Sequence, residues 1–198
     1  MDIEVVWQEL SATPKFRQSP KRMMTPWFIA TEKFDPTDAG WKKYIAWSGL
    51  VQLDEVVSLD SSFCPTILPE IKPEYWTRIV NEDFMLGFFT DLEYLRGEIS
   101  GIQRKNLLCV FRNPPSHPIS EVPLGFEFVG YDLTDIQTST SALTNCGGFP
   151  GVVENSELSK KGLLQEFERA QRVQADLRRL HPDEPHAYCH LWAIFRYS

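Results

Sequence analysis

Two apolar runs of strand length, Leu107-Leu108-Cys109-Val110-Phe111 and Phe126-Glu127-Phe128-Val129-Gly130-Tyr131-Asp132-Leu133, flank a segment that neither helix nor sheet can absorb. Residues 113–123 hold Pro114, Pro115, Pro118 and Pro123. A proline has no N–H to give to a ladder or a helix, and its ring fixes φ, so this segment must be a loop. The spacing predicts that the two strands pair as a long-looped hairpin.

The remaining elements follow from periodicity and punctuation. Ile3, Val6, Trp7 and Leu10 predict a short amphipathic helix. Residues 11–26 are polar, proline-punctuated and basic (Lys15, Arg17, Lys21, Arg22), so residues 1–26 read as an arm and linker. Trp27-Phe28-Ile29-Ala30-Thr31 reads as a strand. Asp35-Pro36 supplies an N-cap and a first-turn proline for a helix through Trp41, Tyr44 and Ile45 that stops near Ser48-Gly49. Residues 50–59 lean toward strand, with Val51, Val56 and Val57. From Pro73 onward, Trp76, Val80, Phe84, Phe88, Leu92, Leu95 and Ile99 recur at helical spacing, interrupted at Gly87. Ser159 is placed to cap a helix to Leu180, with Leu163, Phe167, Ala170, Val173, Leu177 and Leu180 inward and Glu166, Arg169, Arg172, Asp176 and Arg179 outward. His190-Leu-Trp-Ala-Ile-Phe-Arg-Tyr197 reads as a buried strand.

This order lacks the regular strand–helix alternation of a doubly wound fold. It predicts an α+β fold, with a mixed or antiparallel sheet of four to five strands packed with three to four helices, and one globular domain over 27–198. The length of 198 residues suits a single domain with an added arm.

Composition narrows the function classes. The formal net charge of −7 opposes binding to phosphate backbones, so a nucleic-acid partner is not expected; the plainer account of the charge is solubility, and it could also steer the chain toward a basic protein partner. No apolar stretch is long enough to span a bilayer, and the start Met1-Asp2-Ile3-Glu4 does not look like a secretory signal. The four cysteines, Cys64, Cys109, Cys146 and Cys189, are scattered singly. Free thiols and a reducing, cytoplasmic setting are therefore expected.

The most distinctive local chemistry is Thr144-Asn145-Cys146-Gly147-Gly148. A cysteine on a sharp glycine turn can expose its sulfur beside backbone N–H groups able to stabilise an oxyanion. A histidine is needed to deprotonate it, and His186, in the loop Glu184-Pro185-His186, is the candidate, with Asp132 to orient the imidazole. The plainer account of the same residues is a turn with a buried cysteine, because Asn and Gly tolerate left-handed backbone. His181, His186, Cys189, His190 and Cys146 include zinc-type donors, but Cys146 has no close mate, and adjacent Cys189 and His190 on a strand point to opposite faces. No metal or cofactor is expected. Glu82-Asp83 and Asp91-x-Glu93 read as the solvated side of a helical region. No P-loop, GxGxxG or HExxH pattern occurs.

Two readings follow. The first is a non-catalytic protein-binding module, of the acidic inhibitor, antitoxin or immunity type. The alternative is a small thiol-dependent enzyme with Cys146 as nucleophile and His186 as base. Both keep all cysteines reduced, so thiol titration of the denatured, unreduced protein, shielded from air, is expected to count four reactive groups.

Overall fold

The computed structural model describes residues 24–35, 37–68, 87–118, 121–135, 139–144, 149 and 151–198. The arm helix predicted over 2–10, most of its linker and the helical region between Pro73 and Gly87 lie outside the described residues. The strands are β1 (Trp27–Glu32), β2 (Lys105–Arg112), β3 (Phe126–Asp135), β4 (Thr140–Ser141) and β5 (His190–Tyr197). The α-helices among the described residues are α1 (Ala39–Ser48), α2 (Leu92–Glu98) and α3 (Phe167–Leu180). The fold is α+β, built on a five-stranded sheet in the order β1-β2-β5-β3-β4 with every ladder antiparallel.

The predicted hairpin between 107–111 and 126–133 does not form, because β5 lies between its two arms. The reason is in β5 itself. Leu191, Trp192, Ala193, Ile194 and Phe195 are all buried. A strand with apolar residues on both faces needs cover above and below, and the middle of a sheet gives it neighbours on both edges as well. The proline segment then has only to reach across one intervening strand, about 10 Å at the usual strand spacing.

Alternation along the strands divides the core into two layers. Phe28, Ala30, Cys109, Phe111, Leu133, Leu191, Ala193 and Phe195 face one side, where Tyr94 and Leu95 of α2 and Ala170, Val173 and Leu177 of α3 pack on them. Ile29, Leu108, Val110, Trp192 and Ile194 face the other side, covered by Val57, Leu59, Phe88 and Leu163. A smaller cluster of Trp41, Val56 and Cys64 forms where α1 packs, with Phe34, Tyr44 and Phe63 against it.

Several local expectations shift. Asp38, not Asp35, caps α1, its carboxylate accepting from the N–H groups of Gly40 (2.7 Å) and Trp41 (3.0 Å). Asp35 instead closes a turn with Thr37. The helix does end at Gly49, which takes a left-handed conformation (φ 73°) and donates to the Ile45 carbonyl. Residues 50–59 form turns rather than a strand, since the N–H groups of Asp54, Glu55 and Val57 bond to the carbonyls of Lys160 and Lys161.

Ser159 starts a turn, not α3. Its N–H bonds to Leu163 O through left-handed Gly162 (φ 78°), and Leu164 then pairs with Tyr131. Helix α3 begins at Phe167, buries Ala170, Val173 and Leu177, and leaves Leu180 46% exposed.

Arg169, expected on the solvated face, is also corrected. Its guanidinium forks onto both oxygens of Glu157 (2.5 and 2.8 Å) and reaches Val152 O at 2.7 Å. That pairing holds the Glu157 carboxyl well below its usual range, at about 2. A lowered folded-state pKa contributes stability above the ordinary value of 4.5 that is lost as pH falls toward about 2. Arg169→Ala should therefore cost about 1–2 kcal/mol near neutral pH. In urea melts the gap to the wild-type chain should close below the ordinary carboxylate range, and a pH-independent gap would assign the loss to packing.

Candidate functional site

Of the three residues singled out for thiol chemistry, Cys146 lies outside the described residues, as do its neighbours Asn145, Gly147 and Gly148. Asp132 sits within β3 opposite Trp192 of β5 and is fully buried. One carboxylate oxygen accepts from Ser58 Oγ (2.5 Å) and the Leu59 N–H (3.2 Å). The other accepts from Ser141 Oγ (2.6 Å) and the Leu133 N–H (2.8 Å). Burial pushes its pKa up, and these donors oppose that rise.

A second buried carboxylate, Asp60, completes a ring. It accepts from the Ser141 N–H (2.9 Å) and the Ser62 N–H (2.8 Å), while its own N–H donates to Ser58 Oγ (2.9 Å). Ser58, Asp132, Ser141 and Asp60 thus join the 58–60 loop to β3 and β4.

His186 lies in a single 3-10 turn, Pro185–Tyr188, and is buried. Burial lowers its pKa, against the opposing charges of Asp135, Glu184 and Asp60. Its Nδ1 is 3.8 Å from Cys189 Sγ, and its ring stands edge-on to Phe149 at 5.3 Å. Burial also raises the Cys189 thiol pKa, so this sulfur is a neutral thiol at pH 7. The described cysteines, Cys64, Cys109 and Cys189, are free and buried.

A more open arrangement lies beside α1. The end of β1, the cap of α1 and the 62–65 segment enclose a recess of about 400 Å³. The bond from the Glu32 N–H to Pro65 O (2.8 Å) and the Asp38 cap hold its two sides in place. Phe34, Trp41, Tyr44 and Phe63 line it together with Glu32, Asp35, Asp38 and Lys33. The rings form a continuous wall: Phe34 to Trp41 is 4.0 Å, Trp41 to Phe63 is 4.8 Å and Tyr44 to Phe63 is 5.2 Å between centroids. The wall runs on to Trp47, 5.7 Å from Tyr44. The Tyr44 hydroxyl donates to the Thr144 carbonyl, which fixes the ring. At the rim the Arg104 guanidinium binds Asp35 at 2.8 Å and holds that carboxyl well below the usual range.

A second recess, of about 470 Å³, is lined by His117, Phe128, Tyr131, Gln165, Phe167 and Glu168. His117 Nδ1 is hydrogen-bonded with the Tyr131 hydroxyl, and its ring stands edge-on to Phe128 at 4.5 Å. Burial lowers the His117 pKa, and burial with the Glu168 charge pushes Tyr131 up to about 12. These shifts keep both groups neutral at pH 7, where they form a hydrogen-bonding pair.

Sequence reading missed both recesses. His117 was submerged in the proline loop. Trp41 and Tyr44, three apart on a helix, carry the periodicity of a core stripe, and nothing in that spacing brings Phe34 and Phe63 beside them. Among the described residues no group of His, Cys, Asp or Glu is arranged to hold a metal ion, and no helix is long and apolar enough to cross a membrane. Comparison with protein-family models, curated proteins and solved structures finds no match.

The ring around Asp132 generates a stability test. Asp132→Ala leaves two buried hydroxyls and two buried N–H groups without their acceptor, at about 1–3 kcal/mol for each group left unsatisfied. A loss of at least about 3 kcal/mol is expected in urea denaturation, and a smaller one for Asp132→Asn, which keeps one oxygen. A raised folded-state pKa contributes stability present at low pH and lost as pH rises through it, and Asp132→Asn should remove that part of the pH slope. Equal losses for the two variants would show that the carboxylate is not what joins these segments.

Proposed function

We propose that this chain is a non-catalytic protein-binding module, of the acidic inhibitor, antitoxin or immunity type, that meets a basic protein partner through α1 and the recess beside it. In this reading residues 27–198 are one domain, residues 1–26 are an arm, and the setting is cytoplasmic. The observation that carries it is Trp47. This indole is 69% exposed while joined to the aromatic wall of the recess. Single exposed apolar residues are ordinary, but tryptophan and tyrosine are the side chains most enriched at the energetic centres of interfaces. Here they stand beside Glu32, Asp35 and Asp38 on a chain of net charge −7. Opposite charge on the partner would steer the encounter, and the aromatic side chains would hold the complex.

The alternative reading, a thiol enzyme built on Cys146 with His186 as base and Asp132 as orienter, needs an imidazole within reach of that sulfur. Cys146→Ser separates the two readings: a binding module keeps its affinity, and an enzyme loses its turnover.

A photo-crosslinking residue at position 47, introduced in the native host, should trap a basic protein that the same residue at exposed position 124 does not. With that partner purified, Trp47→Ala should weaken binding at least about tenfold, the scale of an interface centre. The association rate should fall between low and physiological salt as screening grows. Equal trapping at the two positions, or unchanged affinity in Trp47→Ala, would remove α1 as the contact surface.

A further inference from the structure

We propose that the recess between β1, α1 and the 62–65 segment is a binding site for one guanidinium group, an arginine side chain of the partner. The inference rests on the protein-binding reading above and names the group that its recess recognises.

The chemistry of the lining selects the ligand. Four aromatic side chains and three carboxylates share a recess of about 400 Å³, within the roughly 300–1,000 Å³ of ligand-holding pockets. An aromatic face attracts a cation through its quadrupole, and a carboxylate supplies the counter-charge. Asp38 is committed to capping α1 and Asp35 to Arg104. Glu32, exposed at the end of β1, has no ion pair among the described residues and is the carboxylate left for an incoming cation.

Arginine is favoured over lysine on three grounds. Its planar fork matches a carboxylate with two N–H groups, it stacks on rings, and it sheds water more readily than an ammonium. The rim already holds one guanidinium, that of Arg104, on Asp35. Elsewhere in the structure Arg112 stacks over Trp27 at 4.8 Å and Arg96 over Tyr197 at 4.9 Å. Lys33 also lines the recess, so the site is only moderately acidic. A ligand there must gain from the rings as well as from charge, which again selects guanidinium.

The test titrates the full, isotope-labelled chain with Nα-acetyl-arginine amide and follows backbone amide and indole signals by NMR. Saturable shifts are expected at Trp41 and at residues 32–38. The lysine analogue should bind more weakly. The citrulline analogue, which keeps the planar head but carries no charge, should leave these signals in place. Glu32→Gln, at an exposed position that leaves the core intact, should weaken arginine binding about fivefold. Equal shifts from citrulline, shifts centred away from the recess, or unchanged affinity in Glu32→Gln would each overturn the site. The probe is not a protein, so the two readings fail separately. No arginine binding alongside Trp47-dependent partner binding removes the guanidinium site alone. Arginine binding in a chain with no Trp47-dependent partner sustains the site and removes α1 as the contact surface.

Discussion

A strand that is apolar on both faces has to be covered above and below, and β5, at the centre of this sheet, is such a strand. Leu191, Ala193 and Phe195 pack toward α2 and α3, while Trp192 and Ile194 pack toward the segment carrying Val57 and Leu59. Antiparallel ladders to β2 and β3 satisfy its backbone on both edges. The rest of the architecture follows. β2 and β3 must stand apart, the proline segment must bridge over the strand between them, and β1 and β4 are left as the outer strands.

Among the described residues it is turns that cover the second face, and this brings its own requirement. Turns present unpaired backbone groups, and a turn packed on a sheet must find partners for them. The Ser58–Asp132–Ser141–Asp60 ring supplies those partners, with the N–H groups of Leu59, Asp60 and Ser141 all bonded within it. Two carboxylates are therefore buried as acceptors for the groups that join the 58–60 loop to the sheet. The outer recess is different in kind. Trp41 is buried at its base, Phe34 and Tyr44 are half-buried, and Glu32 is exposed with no ion pair among the described residues.

The strands were legible in the sequence where composition alone decides. Trp27–Glu32 and His190–Tyr197 hold the apolar runs Trp27–Ala30 and Leu191–Phe195, and the structure has both strands. The pairing was not legible, because the length of the proline-rich loop sets only an upper limit on how far apart its ends stand, and within that reach another strand can enter between them. The cap of α3 was misplaced, at Ser159 where the structure has Glu166, because Ser159 and Leu163 fit a helical pattern locally, while Gly162 and the Tyr131–Leu164 pair, a tertiary contact, impose a turn. Arg169 was assigned to solvent by periodicity, and its partner Glu157 comes from a turn that no helical wheel includes. The recess escaped for the same reason: it is assembled from three separate segments, and each alone carries only the signal of a core element.

The central place of β5 also bears on the order in which the sheet can be assembled. β2 and β3 do not pair with each other, so each has an open edge until residues 190–197 arrive between them. Contacts this distant along the chain are slow to form, since the loop between them must close before the ladder repays it. During that interval two apolar strands present unpaired N–H and C=O groups, the template on which unfinished chains join one another. The element that makes the finished sheet secure thus leaves the unfinished one exposed to aggregation, and the yield of folded chain depends on how quickly β5 docks.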